Sequence, residues 1–420
     1  MSPTSQPAFA GTYFDVLAAV FISLVVQMTM SLFAASIPVL APVIAAERGW
    51  NPIIVSFYPI VVYVTAFLIS FHVPGLLFRI GGMGLSLASV TLGGVGLLLL
   101  LPPYAAAAAS AAVAIGCGTA AINPASSQML GPRTTPRTAG LVMSIKQTGV
   151  PLGGVMAGAL VPILASHSGW RMAALELAAM GSALAIVLLP SVNWLNGAAR
   201  PAKPVAFRPF DPVRHLLAMP GIPTLLFASL TFNGMQLCLR SFFIVYLVTN
   251  QRLGLVTAGV AFSVSQAAGM IGQVGWAALS DRVLSVHSVM AIIGVVMSAA
   301  AFCTASMTPN WSFGAIIFVA AIFGVSAAGY LPVLLGEIAR RTPPSQVGAL
   351  TSAAQLFPLS GSILGPLAFG GIAVIMGMDA AFVLAAASTL AGTALLAFTA
   401  STFRGVGCTR ATSQIQTCPG

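Results

Sequence analysis

Apolar residues run along this chain in twelve blocks, each long enough to cross a hydrocarbon core as a helix of about 20 residues. The blocks cover residues 16–40, 52–77, 82–102, 104–129, 139–165, 169–191, 219–248, 254–279, 288–307, 312–337, 346–374 and 378–400. Inside them, polar residues recur at helical spacing. Ser23, Gln27 and Ser31 stand at i, i+4, i+8 in the first block, and Asn233, Gln236 and Arg240 at i, i+3, i+7 in the seventh. The fourth block aligns Gly116, Thr119, Asn123 and Ser126, and the tenth carries Gly324, Tyr330 and Glu337. Such stripes suit a helix bundle whose polar faces turn inward, whether as helix contacts or as a ligand site.

The chain repeats itself. Arg137–Pro162 returns 208 residues later as Ser345–Gly370, matching without a gap at Gly140/Gly348, Ser144/Ser352, Gln147/Gln355 and Gly153/Gly361. Gly116/Gly324, Pro124/Pro332 and Pro136/Pro344 extend the match upstream, and Gln27 falls on Gln236 with Ser31 on Arg240 at a shift of 209. The pattern predicts an all-α integral membrane protein with two pseudo-symmetric six-helix bundles, residues 1–191 and 219–400. A basic linker at 192–218, interrupted by Pro201, Pro204, Pro209 and Pro212, would join them, and a tail would occupy 401–420.

Composition narrows this further. With 58% hydrophobic and 6% charged residues and a mean hydropathy of +0.99, the chain is no water-soluble globule, where charged residues run at about 25%. The net charge of +10 is dispersed between apolar blocks, so it reads as a topology signal, not as a nucleic-acid surface. Twelve of the 17 Lys and Arg residues, among them Arg79, Arg133, Arg200, Lys203, Arg282, Arg340 and Arg341, fall on one side of the predicted path. That side is then cytoplasmic, with both termini inside and Arg48 and Arg252 outside. The four histidines and five cysteines show no metal-ligand spacing, and no phosphate loop follows a strand. An enzyme, a metal centre, a cofactor and an ATP site are all unexpected.

Twelve spans in two repeated halves with a basic central linker resemble the major facilitator superfamily. The second-half loop Leu279-Ser280-Asp281-Arg282 is similar to the family's Gly-x-Leu-x-Asp-Arg-x-Gly signature, with Leu284 at the last glycine. The first-half loop keeps Arg79 and Gly81 but puts Phe78 at the acidic position. Gly169-Trp170-Arg171 at the start of the sixth span is also family-like, with Gly377-Met378-Asp379 opposite it in the repeat. Gly149-Val150-Pro151-Leu152-Gly153-Gly154 approximates the Gly-Pro pattern of exchangers and efflux pumps, and Pro151 marks a bend or sliding point. The resemblance implies alternating access and a central cavity lined by spans 1, 4, 7 and 10.

Charge inside a bilayer costs about 2.5–3.5 kcal/mol at mid-helix, so intramembrane ionisable residues are the first functional candidates. Arg240 either faces substrate or pairs with a neighbouring carboxylate, and no Asp or Glu lies near mid-membrane in the cavity spans. Lys146, on one helical face with Gly149 and Gly153, either meets substrate or snorkels to the cytoplasmic surface. The second repeat has Ala354 there. Gln27, Asn123, Asn233, Gln236 and Tyr330 would supply neutral hydrogen bonds. Arg79, Asp281, Arg282 and Glu337 are gate candidates. Glu176 either carries a coupling proton or pairs with Arg171.

Two intramembrane cations without matching acids predict a secondary active transporter of the inner membrane. Its substrate would be a small organic anion, a carboxylate, moved by proton coupling or exchange. Efflux of drugs or metabolites is the alternative, and a non-transporting membrane sensor a lesser one. The bilayer, the substrate and coupling protons are the expected partners, with no nucleic acid.

Overall fold

A computed structural model of the chain describes residues 13–51, 57–134, 139–197, 210–342 and 347–413, with no strand among them. Fifteen helices follow in order: α1 Tyr13–Arg48, α2 Tyr58–Ser70, α3 Val73–Leu99, α4 Ala105–Leu130, α5 Ala139–Gln147, α6 Gly149–Leu188, α7 Ser191–Gly197 and α8 Phe210–Ala218. Then come α9 Ile222–Thr249, α10 Leu255–Arg282, α11 Val286–Ala305, α12 Phe313–Arg341, α13 Val347–Ala354, α14 Leu356–Met376 and α15 Met378–Ser413. Ten are long and apolar enough to cross a membrane. Two crossings expected as separate helices share α6, which turns at Gly169, and α2 with the start of α3 forms another. This path is consistent with twelve crossings.

The breaks in the helices follow from local chemistry. Gly81 (φ 75, ψ 171) kinks α3, and Gly169 (φ 81, ψ 157) divides α6, in a region of backbone space that is essentially restricted to glycine. Pro151 brings no N–H to the carbonyl of Gln147, four residues earlier, and its ring crowds that carbonyl. The helix accordingly stops at Gln147 and resumes at Gly149, with Leu152 N bonding Thr148 O at 3.1 Å. The break expected around Pro151 thus lies a turn before it. Pro358 acts likewise in the second repeat, where α13 ends at Ala354.

The chain forms two compact units, Met1–Phe207 with Arg240–Ala267, and Arg208–Leu239 with Ala268–Gly420. In the first, α1 packs along α6, and α3 packs along α4. Gly149 and Gly153 make the α1–α6 seam close: a Cβ on Gly149 would meet Leu24 O and Gln27 Cβ, and one on Gly153 would meet Met28 O and Ser31 Cβ. At one end, Ala19, Met83, Leu87, Met129, Leu130 and Val142 enclose Leu195 of the short helix α7. Residues of the expected linker are therefore helical and docked. In the second unit α11 packs on α12 and α15, and Gly361 and Gly365 bring α14 against Leu230 and Gly234 of α9. Val187 (72%), Ile271 (73%) and Ile375 (83%) stand exposed, a surface suited to hydrocarbon.

Candidate functional site

The α1–α6 seam fixes the polar centre of the first unit. Glycines at 149 and 153 draw the start of α6 onto Gln27 and Ser31, so Lys146, three residues before Gly149, arrives beside Gln27. Its ammonium donates to Asn123 Oδ1 at 2.6 Å and to Gln147 Oε1 at 3.3 Å. Gln27 Nε2 donates to the same Gln147 oxygen at 3.2 Å. Lys146 is 2% exposed and Gln27 3%, while Asn123 is exposed. The lysine therefore turns inward and does not snorkel. Asn123 marks the open side of the cluster.

One turn along α1, Arg240 Nη2 donates to Ser31 Oγ at 2.9 Å, and Ser31 donates to Val150 O at 2.7 Å. Among the described residues, neither Arg240 nor Lys146 has a carboxylate partner; their partners are a hydroxyl and two amides. Two cations thus stand on adjacent turns of one α1 face. Gln27 Oε1 and Ser23 Oγ, on that same face, are buried and accept no hydrogen bond. The arrangement can hold an anion, because it offers positive charge and directed N–H groups without a built-in counterion.

A second polar cluster lies in the other unit. Tyr330 OH donates to Asn233 Oδ1 at 2.7 Å, and Asn233 Nδ2 donates to Ser362 Oγ at 2.5 Å and to Pro358 O. Both ends of the Asn233 amide are thereby engaged, and Tyr330 packs edge-on against Phe232 at 6.0 Å. This cluster stitches α9 to α12 and α14. Gln236 is half-buried and makes no hydrogen bond among the described residues.

Among the remaining charges, one pairing departs from the sequence expectation. Arg171 pairs with Glu47 at 2.5 Å, not with Glu176. Trp170 Nε1 also donates to Glu47, at 2.6 Å, and Arg48 stacks on Trp50 and Trp170 while capping the carbonyls of Leu100, Leu101 and Pro102. Glu176 is exposed and accepts from Ser168 Oγ at 3.4 Å. Glu337 is satisfied on its own helix, by Arg340 at 2.9 Å and by Arg341, which also donates to Pro220 O at 2.9 Å. Arg79 and Arg282 are exposed. The side chain of Asp281 lies outside the described residues.

Two contributors escaped sequence reasoning, and a third, Arg133, is legible in sequence only as an inside charge and candidate gate partner. Gln147 is the hub of the lysine cluster, although its match to Gln355 and its place ahead of Pro151 were visible. Asn196 of α7 accepts from Met83 N at 2.9 Å and donates to Ile80 O at 3.0 Å, clasping the Gly81 kink. Arg133 donates to Met129 O, Trp194 O and Leu195 O, holding α7 to the end of α4. Close in sequence to Phe78, which stands in place of an acid, the Asn196 amide thus secures the backbone of α3 at its kink.

The sequence matches the profile described as Major Facilitator Superfamily over residues 19–287. No curated protein sequence matches the chain. Among solved structures, it is similar to a POT family transporter in complex with 5-aminolevulinic acid, with a TM-score of 0.74, 13% identity, and coverage of 94% of this chain and 97% of that one. A bacterial homolog of the human lysosomal transporter Spinster, in an inward-facing and occupied conformation, gives 0.68 and 16%, covering 98% and 100%. The nucleoside transporter NupG gives 0.73 and 12%, covering 91% and 99%. At these identities the likeness shows a shared fold.

Proposed function

The chain belongs to the Major Facilitator Superfamily, and we propose that within it this protein is a secondary active transporter of a small organic anion, a carboxylate. The observation that carries the reading is the pair of cations, Lys146 and Arg240, held on one face of α1 by neutral partners. A guanidinium offers a carboxylate a bidentate partner and an ammonium adds a point charge. Binding an anion would offset the cost of holding both charges away from water.

In this reading Arg240, Lys146, Gln27 and Asn123 contact the substrate. Gln236, which makes no hydrogen bond among the described residues, is a further candidate for a neutral contact, and Asn233 and Tyr330 hold its helix in place within the second unit. Bundles 1–191 and 219–400, joined by 192–218, alternate in access across the inner membrane with both termini cytoplasmic. Arg79, Asp281, Arg282 and Glu337 serve the inner gate. Among the described residues no acid stands beside either cation, which supports exchange, or a proton that travels with the substrate, over a relay through Glu176.

The test is thermal stability of the purified protein against mono- and dicarboxylates, inorganic anions and lipophilic cations, beside Arg240→Gln. A ligand that binds the folded state raises its melting point by mass action. Stabilisation by carboxylates that is lost in the variant is the expected result. Stabilisation by lipophilic cations alone, unchanged in Arg240→Gln, would overturn the reading in favour of efflux.

A further inference from the structure

We propose that the site selects carboxylates that carry a neutral hydrogen-bond donor on the neighbouring carbon, as 2-hydroxy acids do, and that Gln27 reads that donor. The inference rests on the anion reading above and adds the substrate class. Its starting point is the set of polar atoms near Lys146 that no group among the described residues satisfies. An ammonium has three N–H donors; Lys146 spends two, on Asn123 and Gln147. A carboxylate oxygen suits the third.

Gln27 asks for the opposite. Its amide orientation follows from its neighbours: Gln147 Oε1 already accepts from Lys146, so the group Gln27 turns toward that oxygen must be its NH2, at 3.2 Å. Its own Oε1 is left buried without a donor, on a residue only 3% exposed. A bare carboxylate would set lone pairs against that oxygen, and a buried polar atom left unpaired costs binding. A hydroxyl beside the carboxylate supplies the missing proton. Ser23 Oγ, one turn earlier on α1 and equally unpartnered, can donate its own proton to the oxygen of the same hydroxyl. An ammonium in the hydroxyl's place would donate too, but it would bring a second positive charge to Lys146. Amino acids are therefore disfavoured.

The experiment measures binding of propionate, lactate and alanine, and of acetate and glycolate, to the purified full-length protein in detergent, for the wild type and Gln27→Met. Lactate and glycolate should bind the wild type about tenfold or more tightly than propionate and acetate, with alanine no better than propionate. In Gln27→Met the ratio should fall to near one. Equal binding of hydroxy and deoxy acids by the wild type overturns the selectivity while leaving the anion reading standing; this arm needs no variant. A preference that survives in Gln27→Met removes Gln27 as the reader and overturns the proposal, as does alanine binding tightest. Failure of every carboxylate overturns both readings.

Discussion

Gly169 and Gly377, 208 residues apart, hold one backbone conformation, with φ 81, ψ 157 at the first and φ 90, ψ 163 at the second. Each starts the last span of its repeat. A Cβ at either would meet nothing within 4 Å, so the requirement for glycine is one of backbone geometry alone.

Gly169→Ala and Gly377→Ala should each cost about 1–3 kcal/mol, the usual strain of a side chain in that region. Melting of the two purified variants would show equal losses if the turns are equivalent. No loss in either would mean that the turn relaxes.

Lys146→Met should raise stability, on the order of 1–3 kcal/mol, because it removes a buried charge with no carboxylate while keeping the stem's volume. The same variant should lose anion binding. A lower melting point would make Lys146 a structural residue held for the hydrogen bonds it donates to Asn123 and Gln147.

Asn196→Ala should destabilise the first unit by about 1–3 kcal/mol, since it leaves Met83 N–H without an acceptor at the Gly81 kink. Asn196→Asp keeps that acceptor and should lie between alanine and wild type. Hydrogen exchange at Met83 reads the effect directly.

Asn233→Ala removes both ends of an engaged amide and should lower melting more than Tyr330→Phe, which removes one hydrogen bond. If the pair positions the wall without gripping the ligand, carboxylate affinity per folded molecule falls far less in these variants than in Arg240→Gln. A selective loss of affinity in Tyr330→Phe would place its hydroxyl on the ligand.

The repeat, the apolar blocks and the shared face of Lys146, Gly149 and Gly153 were legible because they are periodic and local. Whether Lys146 snorkels or turns inward depended on where Asn123 stands, a contact across 23 positions that no periodicity encodes. Glu47 claims Arg171 because the end of α1 meets the turn at Gly169, whereas local spacing suggested Glu176. Asn233 and Tyr330 are readable in sequence as helix contacts or as ligand groups alike; their mutual bond, across 97 positions, engages them with each other. Asn196 lay in a stretch whose prolines hid a docked helix.

The interruption at Thr148 separates Lys146 from the glycines that seat α6 on α1. Charge and seam consequently belong to different rods. A tilt of α5, nine residues long, would swing the ammonium away from Asn123 and Gln147 away from Gln27 while Gly149 and Gly153 stayed in place. The anion's grip could thus be loosened by a lever of two and a half turns, without unpacking the bundle that carries it.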